Sequence, residues 1–326
     1  MDALHVARTC GLEPDANAWA LQRELMVHLS RIWQQPDKGL WEIRGPERYF
    51  THSRVMVWVA FDRAVRAVTD FGLDGPVEQW AALRDAVHAE VLAKGWNDTV
   101  GAFTQSYGGT ELDAATLLLP AVGFLPGDDP RMLSTLDAVG RELKDGDLVE
   151  RYRTGDERGS DGLKGQEGAF LICSFWFVDA LVLAGRRAEA EAMFGRLVER
   201  TNDVGLLAEE VQTGTGAFLG NFPQAFSHLG LAKSAALLYG TVMLDPTPGE
   251  DELLVDGLLV GVCGTDTEVL HGGHGELPPG ADRMVGFHES LGRVREAPPG
   301  SGYTVGDLVV GVVRRPDPVP CGPCGA

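Results

Sequence analysis

No stretch of this sequence reaches the roughly 18 consecutive apolar residues that a bilayer-spanning helix needs, so no helical membrane partner is expected. Cysteine is scarce. The five are Cys10, Cys173, Cys263, Cys321 and Cys324, an odd number spread thinly, which excludes a disulfide framework and points to a reducing, cytoplasmic compartment. Positive charge is short as well: 28 Lys and Arg face 47 Asp and Glu, for a net charge of −19. That field repels nucleic acid and anionic membrane surfaces, and leaves a neutral substrate as the natural partner. The opening "MDALHVARTCGLEPD" lacks a basic segment followed by an apolar one, so no signal peptide is expected.

Apolar residues make up 44% of the chain, enough for a sizeable core, and 326 residues suggest about two domains. Segments 50–68, 112–125, 168–185 and 221–238 are apolar on most of their circumference, and each reads as a buried helix. Segments 77–96, 130–143 and 187–202 are two-faced and read as surface helices. Buried and surface helices thus alternate at a period of roughly 50–60 residues per pair. An inner ring wrapped by an outer ring, an α/α toroid, satisfies that pattern, with an open α-solenoid as the other solution. Past residue 245 the text turns Pro- and Gly-rich and then β-branched, which predicts a boundary near 240–248 and a small β-rich module after it.

Four loops before the apolar helices are rich in glycine, carboxylates and aromatics: "GLWEIRGPERYF", "GAFTQSYGGTELD", "RYRTGDERGSDGLKGQEG" and "GLLAEEVQTGTGAFLG". Inner helices of a toroid start at one end, so these loops are expected to converge there as a site. Glu42 follows Trp41 in the first loop. An indole beside a carboxylate strips water from it, as a general acid near neutral pH requires; the plainer reading is a solvated loop charge. Glu209 and Glu210 supply a second carboxylate, of which one would point into a cleft. Two carboxylates across a cleft for a neutral substrate is the arrangement of glycoside hydrolysis.

The motifs "LWEIRGPERYFTHSRVMVWVAFDRA", "GWNDTVGAFTQSYGGTELDAATLLLPAVGFLPGDDPR", "VERYRTGD", "GLKGQEGAFLICSFWFVDALVLAGR" and "NDVGLLAEEVQTGTGAFLGNFPQAFSHLGL" resemble glycoside hydrolase family 15, over about residues 1–238. That family holds glucoamylases, glucodextranases and bacterial trehalases. The resemblance implies an (α/α)6 barrel for residues 1–240 and an inverting α-glucosidase that needs no cofactor. Glu42 becomes the general acid and Glu209 the general base. Trp41 and Arg151 match positions that line the sugar subsites. Asp113 and Glu167 fall in motifs expected at the rim, with a helix N-cap and a loop charge as their plainer readings. The family pattern also begins before this chain does. Met1 falls in what resembles the third barrel helix, and an Arg–Asp pair that grips the terminal sugar has no counterpart. An incomplete toroid, open by two to three helices with apolar inner surface exposed, is the expectation.

Residues 246–326 resemble the opening GroES-like module of zinc-dependent medium-chain dehydrogenases, through "VCGTD", "FHE" and "CGPC". Cys263, His288 and Glu289 are a thiolate, an imidazole and a carboxylate, all suited to zinc, although on composition alone a buried cysteine beside unrelated surface residues is the favoured reading. The resemblance makes Cys263 and His288 ligands of a catalytic zinc. Phe287 stands where the family has glycine. Cys321 and Cys324 match half of a four-cysteine structural zinc lobe. The nicotinamide-binding domain with its glycine turn is not in the sequence. A non-catalytic sugar- or zinc-binding remnant, or a fragment of a zinc-dependent glucose dehydrogenase, is the alternative function; no oligomeric state is implied.

Overall fold

The computed structural model describes residues 1–11, 13–154, 167–239, 254–261 and 289–310. They divide into two units, one of residues 1–197 and 209–221, the other of residues 198–208 and 222–326.

The first unit opens with α1 (Asp2–Thr9) and α2 (Ala16–Ile32). Asp15 caps α2 by accepting from the Ala18 backbone N–H at 2.7 Å, which satisfies one of the orphan donors of the first turn. α2 buries Trp19, Gln22 and Met26, while Leu21 and Leu25 are exposed. Next come α3 (Thr51–Thr69) and α4 (Val77–Lys94), which pack against each other. α3 is buried on several faces, through Val55, Trp58, Val59, Phe61, Ala64, Val65 and Ala67. α4 buries one stripe, Trp80, Val87 and Val91, at spacings of seven and four residues. These residues, with Met26, Phe103, Leu119, Phe124 and Met132, form one continuous core cluster. Each large apolar side chain so buried contributes about 1.5–3 kcal/mol.

A two-residue hairpin, β1 (Trp96–Asn97) with β2 (Ala102–Phe103), leads to the stretch 112–125. Its apolar character predicts a long buried helix. The structure instead has a single 3-10 turn, Ala114–Leu118, followed by tight turns through Gly123 at φ +79°. Pro120 explains the difference: it has no N–H to extend the ladder and its ring opposes the preceding carbonyl. The segment is still buried, through Ala115, Leu117, Leu119 and Phe124. Burial was legible in the residues, and helix type was not.

α5 (Pro130–Glu142) starts on the Asp129 cap with proline in its first turn, and buries Met132, Thr135, Leu136, Ala138 and Val139. The hairpin β3 (Lys144–Asp145) and β4 (Leu148–Val149) follows it. β5 (Ala169–Phe170) runs straight into α6 (Leu171–Leu183), buried on nearly every face from Leu171 to Leu181. α7 (Arg187–Val198) is two-faced, burying Ala190, Met193, Phe194, Leu197 and Val198. β6 (Glu210–Val211) lies between β5 and β7 (Phe218–Leu219) in an antiparallel three-stranded ribbon that pairs Phe170 with Glu210 and Glu210 with Leu219. Buried α3 and α6 and two-faced α4, α5 and α7 fall where the sequence predicts them, and the buried element between α4 and α5 is the 3-10 turn in place of the expected helix.

In the second unit α8 (Ala225–Tyr239) buries Ser227, Gly230, Leu231, Ser234 and Leu238 and exposes Phe226 and Leu229, so it is less enclosed than its composition suggests. The Ser227 hydroxyl donates to the Ala208 carbonyl at 2.7 Å, and Leu207 N–H donates to His228 Nε2 at 3.2 Å. Three strands, β8 (Leu254–Gly261), β9 (Glu289–Glu296) and β10 (Leu308–Val310), form an antiparallel sheet in the order β10-β9-β8. The β-rich expectation holds for these described strands.

Candidate active site

The loop from 37 to 50 is held at its neck by paired backbone hydrogen bonds between Asp37 and Arg48, both 3.0 Å. Gly39, at φ +72°, turns the chain there; a Cβ would sit 2.9 Å from the Phe50 ring, so only glycine fits. Ile43 is buried and anchors the loop floor. Glu42 sits between these anchors at φ +51°, alone among the described non-glycine residues in having a positive φ. A left-handed glutamate costs of order 1–3 kcal/mol and persists only where the surroundings impose it. Its carboxylate is exposed and has no hydrogen-bond or ion-pair partner among the described residues.

Trp41 turns the other way. The expectation that its indole strips water from Glu42 is not met: Trp41 Nε1 donates to both oxygens of Asp113 at 3.0 Å, and its ring packs 5.8 Å from Phe170 and 6.0 Å from Trp176. Asp113 itself is buried beneath the indole rather than at a rim. It also accepts from Gln105 Nε2 at 3.0 Å and caps the 3-10 turn through Ala115 N–H at 2.8 Å. Burial pushes its carboxyl above the ordinary range, and the hydrogen bonds from Ala115, Trp41 and Gln105 work against that rise.

Arg151 stacks its guanidinium 5.5 Å from the Trp41 ring, 4.6 Å from Tyr152 and 5.1 Å from Phe170. It grips Glu167 with two parallel bonds of 2.7 and 2.6 Å, so Glu167 is a paired, half-buried carboxylate rather than a loose loop charge. One residue on, Gly168 N–H donates to Glu210 Oε2 at 3.0 Å. Burial, then the negative charge of Glu167, pushes the Glu210 carboxyl up. Glu209, the residue before β6, is half-buried; its Oε2 accepts from Asn221 N–H at 2.9 Å and Asn221 Nδ2 at 3.0 Å.

The structure therefore joins Trp41, Asp113, Arg151 and Glu167 in one network. Glu210 is tied to it through Gly168, with Glu209 next in the chain, and Glu42 sits one residue from Trp41. The described parts of the four loops within the first unit meet, as the sequence predicts. Gln105, Tyr152, Phe170, Trp176 and Asn221 were missed as site residues; they are unexceptional in sequence, and only long-range folding assembles them. Cys173 is a free thiol buried under the network, and burial holds its thiol well above the ordinary range, so it is no nucleophile. Cys263, His288, Cys321 and Cys324 lie outside the described residues, as does the side chain of Glu289, which opens β9. Among the described residues no group of three or more His, Cys, Asp or Glu could hold a metal, and no helix is long and apolar enough to cross a membrane.

Buried and two-faced helices in alternation, with carboxylates on converging loops, define a mainly helical protein of the toroid class. It is superposable on a glucoamylase from Saccharomycopsis fibuligera with a TM-score of 0.54 at 11% identity, covering 65% of this chain and 59% of that one. A glycosidase in complex with glucose gives 0.58 at 21% identity, covering 71% and 63%. Residues 1–236 match the model of Glycosyl hydrolases family 15, and the chain belongs to that family. Over 237 residues it is 39% identical to a trehalase of Thermoplasma volcanium, covering 72% of this chain and 37% of that protein. The chain thus spans little more than a third of that relative's length. Residues 249–326 match the alcohol dehydrogenase GroES-like domain, and 70 residues there are 51% identical to a glucose 1-dehydrogenase of Haloarcula marismortui, covering 22% of this chain and 20% of that protein.

Proposed function

We propose that residues 1–240 are an inverting glycoside hydrolase domain acting on α-glucosides, with trehalose as the first substrate to try. Family membership supports the reaction class, and the trehalase relatives support the substrate. The observation that carries the residue assignment is Glu42, an exposed carboxylate without a partner among the described residues, held in a strained left-handed turn beside an anchored Trp41. Glu42, as the acid, protonates the glycosidic oxygen. Glu209 removes a proton from water on the opposite face of the sugar, so that C–O cleavage and water attack leave an inverted anomeric centre. This geometry requires carboxyl groups about 6.5–9.5 Å apart. Half-buried Trp41 and Arg151 offer the flat apolar and cationic surface that a sugar ring stacks on. The test is glucose release from trehalose and maltose by the purified chain, abolished in Glu42→Gln and in Glu209→Gln. Sugar binding without release in any assay leaves a non-catalytic carbohydrate-binding module in its place.

For residues 246–326 the dehydrogenase-like match supports a zinc-binding module. Cys263 and His288, with Glu289, form a donor set of thiolate, imidazole and carboxylate that suits zinc, and Cys321 and Cys324 would give a second site two of its four thiolates. Bound zinc would act as a Lewis acid toward an alcohol or carbonyl oxygen.

A further inference from the structure

We infer that Asn221 is the positioning residue that aims the Glu209 carboxylate, a role that rests on the reading of Glu209 as the base. Glu209 is held at its backbone and at one carboxylate oxygen. Its backbone N–H donates to the Asn221 carbonyl at 2.9 Å, and its own carbonyl accepts from Leu171 N–H at 3.0 Å, at the start of α6. Asn221 then returns two donors, its backbone N–H and its side-chain Nδ2, and both land on the same oxygen, Oε2. Oε1 receives none of these bonds, so one carboxylate oxygen is fixed and the other is left for a water proton. Gly220 makes the approach possible. It sits at φ +71°, and a Cβ there would lie 2.6 Å from Glu209 Oε2 and 3.0 Å from Glu209 Cβ. The neighbouring Glu210 is held in a different place, with its Oε2 accepting from Gly168 N–H on the β5 side of the ribbon.

A base fixed through one oxygen holds its other oxygen on the attack line, and a misplacement of about 1 Å costs on the order of 100-fold in rate. Asn221→Ala removes the side-chain donor but keeps the backbone one. Its kcat on trehalose or maltose is expected to fall about 10- to 100-fold with KM little changed. Asn221→Asp, which sets a second carboxylate against Oε2, is expected to fall further. Asn221 is exposed, so the thermal unfolding midpoint of both variants should match the parent. Unchanged kcat in Asn221→Ala, or a fall matched by lost stability, overturns the inference. A second measurement does not depend on turnover. In the parent chain the Asn221 side-chain amide protons should resonate downfield in a 15N-resolved NMR spectrum and move upfield in Glu209→Ala. No movement overturns the clamp. A parent chain that releases no glucose but shows this movement sinks the hydrolase reading and leaves the clamp standing.

Discussion

At the scale of single residues, the indole of Trp41 and the carboxylate of Asp113 depend on each other. Asp113 is buried, and three of its acceptor bonds come from Trp41, Gln105 and Ala115. Trp41→Phe keeps an aromatic ring against Phe170 but removes one donor from a buried carboxylate. A loss of about 1–3 kcal/mol in urea unfolding at neutral pH is expected; a change within error would show that the bond adds nothing. The cause of the Asp113 shift fixes a sign as well. With its folded carboxyl raised, the native state holds this proton longer than the unfolded chain, so the contribution of Asp113 weakens as pH rises through its folded midpoint. His52 works in the opposite sense. Burial, opposed by the charge of Asp37, lowers it from 6.5 to about 4. Between those values the unfolded histidine carries a proton that the native one lacks, so stability rises with pH across the window and is lost as pH falls toward 4. The full linkage is roughly 3 kcal/mol at most. Urea midpoints measured from pH 4 to 7 should climb, and His52→Gln should flatten that climb.

At the scale of elements, the helix hairpin of α3 and α4 carries the core. Phe61→Ala opens a cavity in the middle of α3 and should cost about 3–5 kcal/mol. Leu21→Ala, on the exposed face of α2, should stay within about 0.5 kcal/mol. Equal effects at the two positions would contradict the burial assigned to them. These two helices were readable from the spacing of their apolar residues, because a stripe at Trp80, Val87 and Val91 allows only one buried face. The stretch 112–125 was not, since Pro120 overrides composition locally. The meeting of the described loop segments was readable, because buried elements that start at one end bring their preceding loops to that end. The direction of a side chain within a loop was not: nothing in "GLWEIRG" says that Trp41 turns toward Asp113, seventy-two residues on, and leaves Glu42 in the open. Asn221 was hidden for the same reason, lying twelve residues from the carboxylate it holds.

At the scale of the whole molecule, two sequence families meet in one chain, residues 1–236 and residues 249–326. The proposed zinc module makes its own prediction. After loading with zinc and desalting, the chain should retain stoichiometric metal by elemental analysis, and Cys263→Ser should retain less. Equal retention by the variant would remove Cys263 from the ligand set. The central claim, however, is the acid–base pair, and anomer-resolved NMR of the purified chain with trehalose tests it most directly. Inversion at one of the two α-linked centres predicts that one β-glucose and one α-glucose appear together before mutarotation, and that neither appears with Glu42→Gln or Glu209→Gln. Release of α-glucose alone, or release that survives either substitution, would contradict the account.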